Sequence, residues 1–418
     1  MIGSLATLFV TLAGSIPVAF ALGLAGLVYL WSVDAYPSTL ASQLFGSLNS
    51  SSLLAVPFFI LAAEIMSRSG ATERLIRFFD AYLGHTRGGL PVIAVLATAF
   101  FSAICGSSVA TAAAIGVVLI PEMIKRGYDK LFAIGLIASA GGLGILIPPS
   151  IPLIIYGMVT EQSIAKLFAG GMIAGAGLTA LLLIVAYALA RRADVPLRPP
   201  ASAAERRAAL RSASAVLVMP VIVLGGIYGG LVTPTEAAAV SCAYAFALSL
   251  LYRVRLAAIL PMLTDSAATA TIIMMIIACA QLFGYVLTAE RVPHAMFEAI
   301  TALDLSPAMF LLGVMAFYIL CGMFMEVISI ILITMPILMP LLPGFGIDPI
   351  HFGIMLILNM ELAVITPPIG LNLFVISAIS GAPAMTVFRG TLPFALLFLA
   401  YLAAIVFVPG VDALFRWL

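Results

Sequence analysis

Two proline pairs set inside long apolar runs constrain this chain more than any other feature. Residues 144–156 read GILIPPSIPLIIY and carry Pro148, Pro149 and Pro152. Each proline removes a backbone donor and disrupts a helix interior. In hydrocarbon the freed carbonyls must find partners, so such a break survives only inside protein or beside a wet cavity. A second copy, VITPPIGLNLF, occupies residues 364–374, and Pro367 follows Pro148 by 219 positions. Two broken apolar segments at matching positions of two halves point to a transporter's binding site.

The rest of the chain agrees with a membrane setting. Of 418 residues, 63% are hydrophobic and 9% charged, which specifies a polytopic, all-α membrane protein. The net charge of +1 singles out no charged partner, and no nucleic-acid role is expected. Cys105, Cys242, Cys279 and Cys321 lie in apolar runs and read as small core residues. His85, His294 and His351 match no metal-site spacing, so no transition metal is expected. The apolar start continues into the next span, so no separate signal peptide is expected.

In chain order, residues 1–13 and 16–31 read as spans, 34–52 as a polar loop, 53–66 as a span, and 68–87 as a basic loop. Residues 88–127 rise and fall in hydropathy around a small polar centre, CGSSVAT, with basic residues at both ends. That pattern favours a re-entrant hairpin over two full spans, because a glycine-serine tip suits a buried position. The broken helix fills about 131–157, and a span follows at 168–190. The connector 193–213 is rich in arginine and proline; its stretch 201–213 reads either as a basic surface helix or as a solvated linker. The second half repeats the plan. Spans fall at 214–230, 236–252 and 267–288, a hairpin at about 306–345, a broken helix at 350–378 and a last span at 388–407. Residues 289–307 read as a loop, and Cys321-Gly322 aligns with Cys105-Gly106. The domain plan is therefore a first repeat at 1–192 and a second at 214–418, joined by the connector. Basic loops at 68–87, 125–130 and 191–211 belong in the cytoplasm by the positive-inside rule. Five crossings plus one hairpin per copy is odd, so the two repeats are expected to be inverted.

Several stretches together resemble the large membrane subunit, DctM-like, of tripartite ATP-independent periplasmic (TRAP) transporters. They are PVAFALGL (17–24), LAVPFFILAAEIM (54–66), FFSAICGSSVATAAAIG (100–116), GYD (127–129), ASAGGLGILIPPSIPLIIYG (138–157) and TPPIGLNLFV (366–375). The resemblance covers nearly the whole chain. It implies a multi-pass protein of the bacterial inner membrane with an elevator-type ion-transporter fold. It implies sodium-driven import of a small organic anion, such as a C4-dicarboxylate, sialic acid or a related sugar acid. It also implies two partners, a small four-helix membrane subunit and a soluble periplasmic binding protein. Cys105 departs from the serine the family often carries there.

No ATP-binding loop is present, so an ion gradient must supply the energy. Sodium prefers hard oxygens, and a helix break offers carbonyls. The first expected sodium set is Ser102, Cys105, Gly144, Ile147 and Pro149; the second is Gly322, Glu326, Val364, Thr366 and Asn372. Helix N-termini suit a carboxylate, so Ser107, Ser108, Thr111 and Asn359 are the expected substrate residues. Each of these glycines, prolines and serines also has a plain packing role available. Glu326 and Glu361 lie at depth, where a carboxylate must face a cavity or a partner. The coupling ion is the only ligand expected besides substrate; no cofactor is. A proton-coupled anion antiporter working without a binding protein is the main alternative, because Glu326 can carry a proton. A channel fits paired breaks less well. An enzyme fits worst, since no nucleophile, base and oxyanion set converges.

Overall fold

The computed structural model describes residues 2–408 except Ser15, Tyr36, Arg192, Asp194 and Leu197. The repeat boundary at 192 and the chain end at 409–418 lie outside the described residues. The described part is helical throughout. Its helices are α1 (Ile2–Ala13), α2 (Val18–Ser32), α3 (Pro37–Leu48), α4 (Ala55–Arg68), α5 (Ala71–Leu83), α6 (Gly89–Cys105) and α7 (Ser108–Lys125). Next come α8 (Lys130–Ala140), α9 (Leu143–Leu146), α10 (Ile151–Val159), α11 (Ile164–Ala190), α12 (Ala203–Tyr228), α13 (Pro234–Leu251) and α14 (Leu256–Ala289). The last are α15 (Val292–Thr301), α16 (Pro307–Gly322), α17 (Val327–Leu338), α18 (Pro349–Ala363), α19 (Leu371–Ser380) and α20 (Ala384–Phe407). Among the described residues, nine helical runs are long and apolar enough to cross a membrane. Large apolar side chains such as Ile184, Val221 and Leu396 lie exposed along them, as a lipid-facing surface requires.

Three expected loops contain helices. Residues 34–52 hold α3, residues 68–87 hold α5, and residues 289–307 hold α15. Proline at the first or second helical position pre-sets φ for α15, and Pro37 opens α3 in the same way. Helix α5 is amphipathic: Ala71, Thr72, Leu75, Ile76 and Phe79 are buried on one face, while Arg77 lies on the other. The connector is also shorter than expected. From Ala203 onward it is the start of the 26-residue α12, opened by a capping box in which the Ser202 N–H and hydroxyl hold Glu205. Those two bonds keep the Glu205 carboxyl below its ordinary range. The third span of the second half is likewise longer than expected, because α14 runs 34 residues from Leu256.

The helices pack as two sets. Helices α1–α5 gather with α12–α14, chiefly through α4 on α13, α2 on α14 and α5 on α12. Helices α6–α11 gather with α16–α20, chiefly through α8 on α20, α7 on α19, α10 on α17 and α16 on α18. The sets meet where α6 touches α4 and α5, and where α14 touches α17. Two glycyl-aspartate turns start corresponding helices in the second set. Gly127 (φ +97°) and Gly346 (φ +65°) are both left-handed, and Asp129 and Asp348 then cap α8 and α18.

Backbone contact between α8 and α20 depends on glycine. A Cβ at Gly135 would overlap the Gly390 carbonyl, and one at Gly390 would overlap the Leu131 carbonyl. Neither overlap can be relieved by rotating a side chain. Gly135→Val is expected to cost on the order of 1–3 kcal/mol or more. A thermal melt of the detergent-purified protein checks it, with Gly313→Ala, whose Cβ meets nothing within 4 Å, as control.

Candidate functional site: a cavity between two hairpin tips

The first hairpin turns at Gly106. Its φ of +65° is a left-handed value that glycine takes without strain, and its N–H donates to the Ser102 carbonyl at 3.1 Å, closing α6. Ser107 is extended, and its hydroxyl accepts from the Ala110 N–H (3.5 Å), opening α7. The first break lies between α9 and α10. Residues 147–150 leave the helix around a cis Pro148–Pro149 bond, and Ser150 caps α10 by accepting from the Leu153 N–H (3.4 Å). Tip and break are in contact: the Ile151 N–H donates to the Gly106 carbonyl at 3.5 Å. Gly144 lies against the tip backbone so closely that a Cβ would stand 2.5 Å from the Ser107 carbonyl oxygen.

The second tip and break share this plan with a different turn. Helix α16 stays helical through Gly322, so Gly322 is not the counterpart of the left-handed Gly106; it packs on Met360 and Ala363 of α18. The chain turns at residues 323–326, and Glu326 caps α17. One carboxylate oxygen accepts from the N–H groups of Ile328 (2.9 Å) and Ser329 (3.4 Å). The break spans residues 364–370 around a cis Pro367–Pro368 bond. There the Ile369 N–H donates to the Met323 carbonyl at 3.1 Å, the same tip-to-break bond as in the first half. The Thr366 hydroxyl donates to the Leu362 carbonyl (2.6 Å), and the Asn372 N–H donates to the Val364 carbonyl (3.1 Å).

The two halves are also tied to each other. The Ser108 hydroxyl at the start of α7 donates to Asn372 Oδ1 at 2.9 Å, and Asn372 Nδ2 donates to the Ala138 carbonyl at 3.1 Å. Ser108 and Asn372 are both buried. Asn372, expected at the second break, therefore joins α7, α8 and α19. Ser102 and Thr111 are fully buried, and the Ser102 hydroxyl donates to the Thr98 carbonyl (2.7 Å). Asn359 points elsewhere: its Nδ2 donates to the Met315 carbonyl of α16 at 3.1 Å.

A cavity of about 540 Å³ lies between the tips. Of the expected residues it brings together Cys105, Ser107 and Glu326, with Gly106, Ile151, Pro152 and Ser329. Neither Ser108, Thr111 nor Asn359 lines it. The first turns of α7, α10 and α17 all reach its wall, so three helix N-termini with their partial positive charge border one space. The opposite wall comes from the other helix set, through Ile60, Ala63, Glu64 and Ser67 of α4 and Thr269, Ile272, Ile273 and Ile276 of α14. Glu64 is ion-paired to Arg68 (2.5 Å), which also binds Asp265 of α14 (2.5 Å). That network stands at the C-terminal end of α4, next to α5, so the cavity extends toward the 68–87 stretch. Glu64 was legible in the sequence, since a carboxylate near the end of an apolar span asks for a partner. Ser67, Thr269 and Ser329 carry no comparable signal.

Residues 5–411 match the family described as the tripartite ATP-independent periplasmic transporter, DctM component. The chain belongs to this DctM family. It is 44% identical over 402 residues to the C4-dicarboxylate TRAP transporter large permease protein DctM of Pseudomonas aeruginosa, covering 95% of this chain and 94% of that one. It is 34% identical over 396 residues to the sialic acid TRAP transporter large permease protein SiaM of Vibrio cholerae, covering 94% and 93%. A third relative is the isethionate TRAP transporter permease protein DctMQ of Oleidesulfovibrio alaskensis, 36% identical over 406 residues, covering 96% of this chain and 64% of that one. As a DctM-family chain it is a multi-pass transporter permease and not an enzyme. Its fold is shared with the Alcanivorax borkumensis YdaH transporter (TM-score 0.65, 17% identity, covering 94% of this chain and 89% of that one). It is shared too with Neisseria gonorrhoeae MtrF (TM-score 0.62, 16% identity, covering 90% and 85%).

Proposed function

We propose that this DctM-family chain is the large permease of a sodium-coupled importer of a small organic anion. The observation that carries this is the cavity at the tips, bordered by three helix N-termini and walled on the opposite side by a second helix set. Helix N-termini favour a carboxylate or sulfonate without an arginine clamp, and the anions for which relatives are named, C4-dicarboxylate, sialic acid and isethionate, carry such groups. The carbonyl-rich tip-to-break junctions are where we place the two sodium ions. Ser102, Cys105, Gly144, Ile147 and Pro149 surround the first; Gly322, Glu326, Val364 and Thr366 surround the second.

The separation into two helix sets supports an elevator movement, in which α6–α11 and α16–α20 travel against α1–α5 and α12–α14. The matching order of hairpin, broken helix and final span supports two inverted repeats. With α5 at the cytoplasmic side of a bacterial inner membrane, the cavity faces inward. The partners are a small membrane subunit and a periplasmic binding protein, since the stretches expected outside, 34–52, 158–166, 231–235 and 289–307, are too short for a capturing domain.

Uptake into proteoliposomes, with this chain and a small membrane subunit under an inward sodium gradient, tests the proposal. At low anion concentration, adding the cognate binding protein is expected to raise the rate at least tenfold. Equal rates with and without it, or uptake that persists when choline replaces sodium, would overturn it in favour of a self-sufficient antiporter.

A further inference from the structure

Among the described residues, Glu361 is the one fully buried carboxylate, and neither the cavity nor the breaks use it. Its side chain is fully buried, and neither oxygen has a hydrogen-bond partner among the described residues. It projects from α18 onto the turn between α8 and α9, where Gly142 leaves room: a Cβ there would stand 3.5 Å from Glu361 Oε2. Ser139, three residues before Gly142, carries a second fully buried oxygen without a partner. Residues three apart along a helical turn share a face, and the Gly142 N–H donates to the Ser139 carbonyl at 3.0 Å.

Helices α9, α10, α11, α16 and α20 pack around α18. Their ionisable groups are engaged elsewhere or lie near helix ends. The Tyr156 hydroxyl donates to the Pro349 carbonyl, Tyr318 bonds Thr334, and the Tyr401 hydroxyl donates to the Ala174 carbonyl. Lys166 stands in the first turn of α11, and Arg389 is exposed on α20. On α18 itself, His351 faces the Ile405 carbonyl. An ionised carboxylate with no counter-charge is costly at this depth. A neutral one still leaves an O–H donor and an acceptor unsatisfied.

We propose that Glu361 and Ser139 hold one monovalent cation, in a site separate from the substrate cavity. Hard oxygens suit sodium, and a single positive charge balances the single carboxylate. A divalent ion would leave net positive charge in the core. The site goes beyond the ions placed at the two breaks and stands whether or not those bind. Its occupation keeps the helix set that carries both breaks electrically neutral at its centre.

Equilibrium binding of radiolabelled sodium to the full chain in lipid nanodiscs, with choline as the replacement ion, tests the proposal. Glu361→Gln is expected to bind one sodium fewer per chain than the parent. Ser139→Ala keeps the count, with affinity weakened roughly tenfold by the loss of one oxygen ligand. Thr366→Val, aimed at the second break, should leave this ion in place, which separates failure here from failure of the coupling sites. An unchanged sodium count in Glu361→Gln, with an unchanged rise of melting temperature on adding sodium, overturns the site. Should Glu361→Gln not fold, Glu361→Asp decides together with Ser139→Ala: unaltered sodium affinity in both overturns it equally.

Discussion

Asn372→Leu should abolish uptake, lowering it by a hundredfold or more, while the chain still inserts in the membrane. The asparagine is fully buried and is held at 2.9 Å from the Ser108 hydroxyl and 3.1 Å from the Ala138 carbonyl. Leucine is close in size but supplies neither atom. The Ser108 hydroxyl and the Ala138 carbonyl then lose their partner, each at about 1–3 kcal/mol in a buried setting. Because that bond joins α7 to α19 across the two halves, its loss frees the first tip from the second break as well as weakening the core. Uptake normalised to membrane abundance is the measurement. Near-normal uptake with a lowered melting temperature would reduce the bridge to a matter of stability.

Glu326 is expected to separate two contributions when replaced in two ways. It faces the cavity and accepts from two backbone N–H groups at the start of α17. Glu326→Gln keeps an acceptor for the cap and removes the charge. It should raise the sodium concentration for half-maximal uptake at least tenfold, with a small change in melting temperature. Glu326→Ala removes the cap as well and should lose about 0.5–2 kcal/mol of stability besides. Sodium titrations of uptake beside thermal melts of both variants check this. If the two variants share one sodium response and differ only in melting temperature, the carboxylate is a cap and nothing more.

Much of the second helix set is legible in the chain because prolines and glycines at fixed spacing leave few conformations open. The pairs at Pro148-Pro149 and Pro367-Pro368, the Gly106 turn and the Gly-x-Asp starts at Gly127 and Gly346 all stand where the sequence suggests. The first helix set is less legible. Helix α5 was readable in principle, from the period of Leu75, Ile76 and Phe79, but its arginines mimic a solvated loop. Helices α3 and α15 are short, and α3 buries no residue, so little pattern distinguishes them from loops. The candidate site divides in the same way. Cys105, Ser107 and Glu326 meet at the cavity because each sits on a tip. The partners of Asn372 and Asn359 lie 264, 234 and 44 residues away, and tertiary packing alone decides such pairings.

Helix α14 has a mechanical consequence. At about 1.5 Å per residue its 34 residues span roughly 51 Å, well beyond a hydrocarbon layer of about 30 Å. It must therefore lean or protrude, and a leaning helix offers a long oblique rail. The part of that rail at the cavity is a ridge of Ile272, Ile273 and Ile276 with one hydroxyl, Thr269. Contacts between branched alkyl groups are non-directional and individually weak. A body sliding along the ridge exchanges one such contact for another and breaks no directional bond. Friction along this track then comes from surface shape and the viscosity of surrounding lipid, so turnover should slow with membrane order even when ion and anion saturate their sites.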